Sequence, residues 1–215
     1  IIESTLTRQF HSDSPPAESA GVFVSATARA VDASLNRTES AVMEAMGDRL
    51  AAMDLVAATS LETRALRRLV ARGLVRLSSF TPTDASHVLG DQSTHDARLS
   101  TMAASLFARR RDRYGDPIAA SAEEFSTAVV DHLVRRSAEA LLEAALIRDR
   151  LPPGSIDSAL VDAAFNGTPS TTRIDVGLAV PLVGLGAPAA TYYPAIGALL
   201  GTRVEIPEHA DVANA

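Results

Sequence analysis

Cysteine is absent from the 215 residues, and lysine is absent too: all 20 basic side chains are arginine. The first absence excludes disulfides, thiolate metal sites and a cysteine nucleophile. The second removes Schiff-base chemistry and the phosphate-loop lysine of Walker-type NTPases. Any phosphate handled here must be met by backbone amides, arginine or a metal ion. Tryptophan is missing and aromatics make up 4%, so the apolar 47% must build its core from Ala, Leu and Val. No run of about eighteen or more apolar residues exists, which excludes an ordinary transmembrane helix. The N-terminus has no basic segment followed by an apolar one, so no signal peptide is expected, and the cytoplasm is the default expectation. The net charge of −6 lacks the basic footprint of a dedicated nucleic-acid binder.

What is present begins with helix punctuation. Residues 1–20 are polar and broken by Ser14-Pro15-Pro16, and read as a loose segment or partial strand. Period-two alternation through Val22, Val24 and Ala26 predicts a strand over 21–31. Asn36-Arg37-Thr38-Glu39 has the form of a capping box and opens a helix with Val42, Met43 and Met46 on its apolar stripe. A short helix fits 50–58. Ser60 caps a third, with Leu61, Leu66, Leu69 and Val70 inward and Gly73 as its stop. A strand over 74–77 completes the outline of a winged helix-turn-helix, with Arg64, Arg67, Arg68, Arg72 and Arg76 on or beside the third helix. Those arginines suit either phosphate contact or a solvated face, and the acidic neighbours Asp48, Asp54 and Glu62 favour the second. The Arg109–Arg113 cluster reads the same way.

Thr81-Pro82-Thr83-Asp84 is a further helix start, running to Leu89 and Gly90. Helices follow over 97–114, from Ser121 to Asp149, and from Ser155 to Asn166. Of the five histidines, none falls in an H-x-x-x-H or H-E-x-x-H pattern. His87 stands three residues after Asp84, so the two share a helix face and suit a common metal or substrate, or simply each other. Beyond residue 174 the texture changes. Ile174, Val176, Leu178 and Val180 alternate, and Leu182-Val183 enters the turn Gly184-Leu185-Gly186-Ala187-Pro188. A helix over 191–200, a strand over 204–206 and a new helix from Ala210 follow. Such a turn lets backbone approach a ligand closely, and the helix after it opens with free amide donors.

The run from Leu182 continues through Tyr192-Tyr193-Pro194, Leu199-Leu200-Gly201, Ile206-Pro207 and His209-Ala210-Asp211-Val212-Ala213-Asn214-Ala215. It resembles the closing segment of the hydantoinase/oxoprolinase family, within the actin-like ATPase superfamily. Thr81-Pro82-Thr83-Asp84-Ala85 with Leu89-Gly90 resembles a segment in the middle of the same family. The resemblance covers residues 74–215 better than 1–73. It implies that Gly184, Gly186, Ala187 and Pro188 line an adenosine pocket, with Leu185 where many relatives have Gly. It also implies that Asp84, with His87 beside it, lies at the active cleft. ATP with a divalent metal, Mg by resemblance, would be the cofactor. Such enzymes phosphorylate the amide oxygen of a cyclic amide and then hydrolyse the ring. The superfamily's Asp-x-Gly-Gly-Thr phosphate motif is absent, so the chain reads as the C-terminal portion of such an enzyme, inactive alone. Its partners would be an N-terminal half or second subunit and a small cyclic-amide substrate, with no membrane partner, nucleic acid disfavoured and homo-oligomerisation open.

The expected fold is therefore mixed α+β: a strand and loop segment over 1–35, a winged-helix-like insert over 36–80, a helical region over 81–170, and a small ribonuclease-H-like α/β unit over 171–215. A winged-helix DNA-binding regulator and a catalytically inactive interaction module are the alternative functions.

Overall fold

A computed structural model describes residues 1–12, 14–94, 96–167 and 171–210. The chain is mixed α and β, and it divides into two compact units, Ile1–Val129 and Val130–Ala215. Among the described residues no helix is long and apolar enough to cross a membrane.

The first unit is organised around one strand. β1 (Phe23–Ala26) lies between β2 (Ala51–Ala52) and β3 (Val75–Ser78) and is antiparallel to both. The central strand thus precedes both of its strand neighbours in sequence. Successive side chains of a strand point to opposite faces, and β1 buries both: Phe23 is 5% exposed and Val24 is fully buried. Val24 packs with Val42 and Met46 of α2 (Arg37–Met46), Leu66 and Leu69 of α4 (Ser60–Ala71), and Val56 of α3 (Met53–Val56). Phe23 packs with Leu6 of α1 (Ile2–Phe10) and Leu106 of α6 (Ala97–Ala108).

That second face explains why the N-terminus is helical rather than loose. Ile2, Leu6 and Phe10 recur every four residues, the spacing of one helix face, and Leu6 is buried against β1 and α6. The strand expected over 21–31 is confined to β1 and gives way to a 3₁₀ turn at Ala28–Ala30. Of the helix expected over 50–58 only α3 forms, because Ala51 and Ala52 pair with β1. The capping boxes fall close to where they are expected. Asn36 and Glu39 satisfy one another's main-chain N–H groups at the start of α2, and Thr81 and Asp84 do so at α5 (Pro82–Leu89). At α4 the box is Thr59 with Glu62, one residue earlier than Ser60. Leu61, expected inward, is 65% exposed, while Ala65, Leu66 and Leu69 form the buried face of α4.

The helix expected over 97–114 stops at Ala108. Residues 111–117 form a tight turn closed by an Arg111–Pro117 bridge, and the Asp112 carboxylate accepts the N–H groups of Tyr114 and Asp116. The arginines before this turn hold the N-terminal segment. Arg109 donates to the carbonyls of Phe10 and Ser12, and Arg110 to those of Glu18 and Ala20. Arg110 also stacks 3.8 Å above the Phe107 ring, which itself packs with Phe80 and Phe125.

α7 (Ala122–Arg148) opens as expected: Ser121 accepts the Glu124 N–H while Glu124 reaches back to that of Ala120. Its later part, with Val134, Ala138 and Leu142, belongs to the core of the second unit. That core also takes Val161 of α8 (Ser158–Asn166) and Tyr192, Ile196 and Leu200 from α9 (Ala189–Leu199) and its end. Asp157, rather than Ser155, caps α8. β4 (Leu182–Val183) pairs in parallel with β5 (Val204–Glu205). The alternating stretch 174–180 forms no strand. Leu178 donates its N–H to the Leu200 carbonyl, and a Cβ on Gly177 would fall 2.5 Å from that same oxygen. The stretch is docked on the end of α9, and apolar alternation there serves packing. The helix expected from Ala210 onward lies outside the described residues.

Candidate functional site

The glycine turn joins β4 to α9 and brings the chain back through β5. The Leu182 N–H donates to the Arg203 carbonyl at 2.9 Å and the Gly184 N–H to that of Glu205 at 2.9 Å, so the ladder continues into the turn. Gly186 holds φ +99°, a conformation that L side chains rarely adopt. Its N–H donates to the Ala210 carbonyl at 2.6 Å, and its own carbonyl accepts from Ala189. A Cβ on Gly184 would meet Tyr193 Cγ at 3.2 Å and Ala189 Cβ at 3.3 Å. The space vacated at Gly184 is therefore filled by this chain's own packing, with no room left for a ligand. Ala187 and Pro188 are exposed beside the start of α9, which has no side-chain cap. Ala187 and Pro188 thus form the exposed surface of the turn, while Gly184 and Gly186 are buried within it.

Asp84 and His87 lie on α5 in the first unit and are engaged differently. Asp84 takes the Thr81 N–H and hydroxyl on one oxygen, at 2.9 and 2.6 Å, and the Ser100 hydroxyl on the other at 2.9 Å. His87 is buried. Its Nδ1 lies 3.0 Å from the Gln92 carbonyl and so carries a proton there, and its Nε2 lies 3.2 Å from the Thr94 hydroxyl. With both ring nitrogens engaged by the 92–94 loop, His87 ties that loop to α5. Asp84 instead borders a cavity of about 220 Å³, whose walls include Leu6, Phe23, Phe80, Leu99 and Ala103, with Ser78, Ser79 and Ser100 as further polar groups. The sequence carried no signal for Ser100. It stands 16 residues from Asp84, on α6, and only the packing of α5 against α6 brings them together.

Three of the arginines on or beside the third helix have acidic partners. Arg68 and Arg72 converge on the buried carboxylate of Glu39, each at 3.2 Å, and Arg72 also donates to the Ser34 carbonyl. Arg67 lies 3.8 Å from Glu18. The Glu39 carboxyl is held below the usual carboxylate range, chiefly by the Asn36 N–H and further by the two guanidinium groups, against the opposing effect of burial.

Among the described residues no group of three or more His, Asp or Glu side chains is gathered where it could hold a metal ion. Compared with protein-family models, with curated proteins and with solved structures, the chain matches none.

Proposed function

We propose that this chain is the C-terminal region of an ATP-dependent cyclic-amide hydrolase of the hydantoinase/oxoprolinase type, an actin-like ATPase fold, and that it supplies the adenosine side of the nucleotide cleft. The observation that carries this reading is the β4–turn–α9–β5 arrangement. Two parallel strands are joined through a helix, the entry turn contains a glycine at positive φ, and the helix N-terminus has no side-chain cap. That is the arrangement in which a helix start and its amides face a ligand. Ala187 and Pro188 would touch the nucleoside, and Asp84 would lie on the substrate side. With no lysine in the chain and no metal-donor cluster among the described residues, the chain contributes binding and positioning, and the groups that meet the transferred phosphate come from a second polypeptide or segment.

The reading as a DNA-binding regulator is weaker, since Arg68 and Arg72 are already paired with Glu39. Titration with adenosine, ADP and ATP by calorimetry, with and without the phosphate-binding polypeptide, tests the proposal. Binding of all three that is lost in Ala187→Glu, an exposed position whose substitution leaves the fold intact, is expected. Absence of adenine binding under both conditions overturns the reading and leaves an inactive interaction module. Unchanged affinity in Ala187→Glu removes the turn from the site.

A further inference from the structure

We propose that the cavity beside α5 and α6 in the first unit binds a small, uncharged, single-ring ligand that presents one N–H to Asp84. The cavity and its acceptor groups stand independently of the nucleotide reading. Only the choice of a lactam as the ring rests on the function proposed above.

Size comes first. An apolar cavity of about 150 Å³ takes up benzene, whereas drug-sized ligands need about 300 Å³ or more. A pocket of about 220 Å³, open to solvent on one side, suits one ring with a short substituent.

Polarity comes second. Apolar walls from α1, β1 and α6 (Leu6, Phe23, Leu99 and Ala103) flank a patch formed by Asp84 and Ser100, which are joined by a 2.9 Å hydrogen bond. An ionised carboxylate accepts about four hydrogen bonds, and three donors reach Asp84: the Thr81 N–H, the Thr81 hydroxyl and the Ser100 hydroxyl. Ser100 spends its only proton on Asp84, so its oxygen is left to accept. The patch therefore offers acceptors and selects a ligand that donates.

Charge comes third. Asp84 repels an anion. Its own charge is already met by three donors and by the positive end of α5, where it occupies the first turn. An ammonium would surrender its hydration to apolar walls that return little of it. A neutral N–H is the better match.

The test uses the full chain and ligand-observed NMR titration with four probes: 2-piperidone, N-methyl-2-piperidone, benzylamine and benzoate. The expected order has 2-piperidone binding most tightly. Blocking its N–H with the methyl group costs about tenfold, the value of one hydrogen bond to a charged acceptor. Ala103→Leu, which fills the cavity, abolishes binding. Ser100→Ala retains binding at reduced affinity, and it serves beside Asp84→Asn because the latter also disturbs the start of α5. Equal binding of the two lactams removes Asp84 from the site. Binding that survives Ala103→Leu removes the cavity. Tighter binding of benzylamine makes this a cation site and overturns the proposal. Lactam binding without adenine binding sinks the enzyme reading alone, and the reverse sinks this inference alone.

Discussion

Gly197, in the middle of α9, is where the second unit is most sensitive to a single methyl group. A Cβ added there would fall 2.3 Å from Val204 Cγ2 and 3.0 Å from the Thr202 carbonyl oxygen. Carbon atoms in contact sit about 3.5–4.0 Å apart, so α9 would have to lift off β5 by more than about 1 Å. Inserting a methyl group into a close-packed contact costs about 1–3 kcal/mol. The same substitution gains about 1 kcal/mol from replacing glycine within a helix. Gly197→Ala should therefore lose about 1 kcal/mol net, taking the middle of the packing range. In a Val204→Ala background the 2.3 Å contact is gone while the 3.0 Å approach to the Thr202 carbonyl oxygen stays, so the helix gain and the remaining crowding offset each other and Gly197→Ala should be close to neutral. The coupling between the two positions is then about 1 kcal/mol, outside the additivity expected of independent sites. Urea denaturation followed by tyrosine fluorescence reads it directly. The chain has no tryptophan and three tyrosines, and Tyr192 and Tyr193 lie on α9. Replacing the 73% exposed Tyr114 by Phe confines the signal to the second unit. An effect of Gly197→Ala that is the same in both backgrounds would falsify the close approach of α9 to β5 as the reason for this glycine.

Two further outcomes concern the first unit and the start of α7. The carboxyls of Glu39, Glu62 and Glu123 are all held below the ordinary value of 4.5, by the N–H groups of Asn36, of Thr59 and of Glu123 itself respectively. A carboxyl lowered in the folded state adds stability that is full above its unfolded value and is lost as pH falls through the folded one. Stability should hold above pH 4.5 and decline below it, with Glu39→Gln flattening part of that decline. An acid titration of the urea midpoint in both proteins measures this, and identical slopes would remove Glu39 from the account. Leu61→Gln, at a position 65% exposed, should change stability by less than about 0.5 kcal/mol. A loss of about 2 kcal/mol or more, the range of buried leucines, would restore the inward placement that the apolar spacing suggested.

The features legible in the sequence are those whose partners lie within four residues. Asn36 with Glu39, Thr81 with Asp84 and Ser121 with Glu124 announce helix starts because the cap and the N–H that donates to it share one turn. The β4–turn–α9–β5 order was readable for the same reason: a strand, glycines and an apolar helix are local patterns. Asp84 was legible as a helix-start residue, but its cavity was not. That cavity is walled by α1, β1 and α6, and Ser100 arrives only through the contact of α5 with α6.

What the tertiary structure alone decided are the fates of groups with distant partners. β1 became the middle strand because β2 and β3 hydrogen-bond to its two edges while two helical layers bury its two faces. The N-terminal residues became a helix because α6 and β1 offered a surface for Leu6. Arg109, which could have served a phosphate, instead holds carbonyls up to 99 residues away, and Arg68 and Arg72 serve Glu39. An alternating run at 174–180 docked on α9 because Gly177 lets the backbone reach the Leu200 carbonyl. Side-chain chemistry and local spacing determine which hydrogen bonds a residue is able to make. Burial, which depends on which surfaces meet, determines which of them it makes.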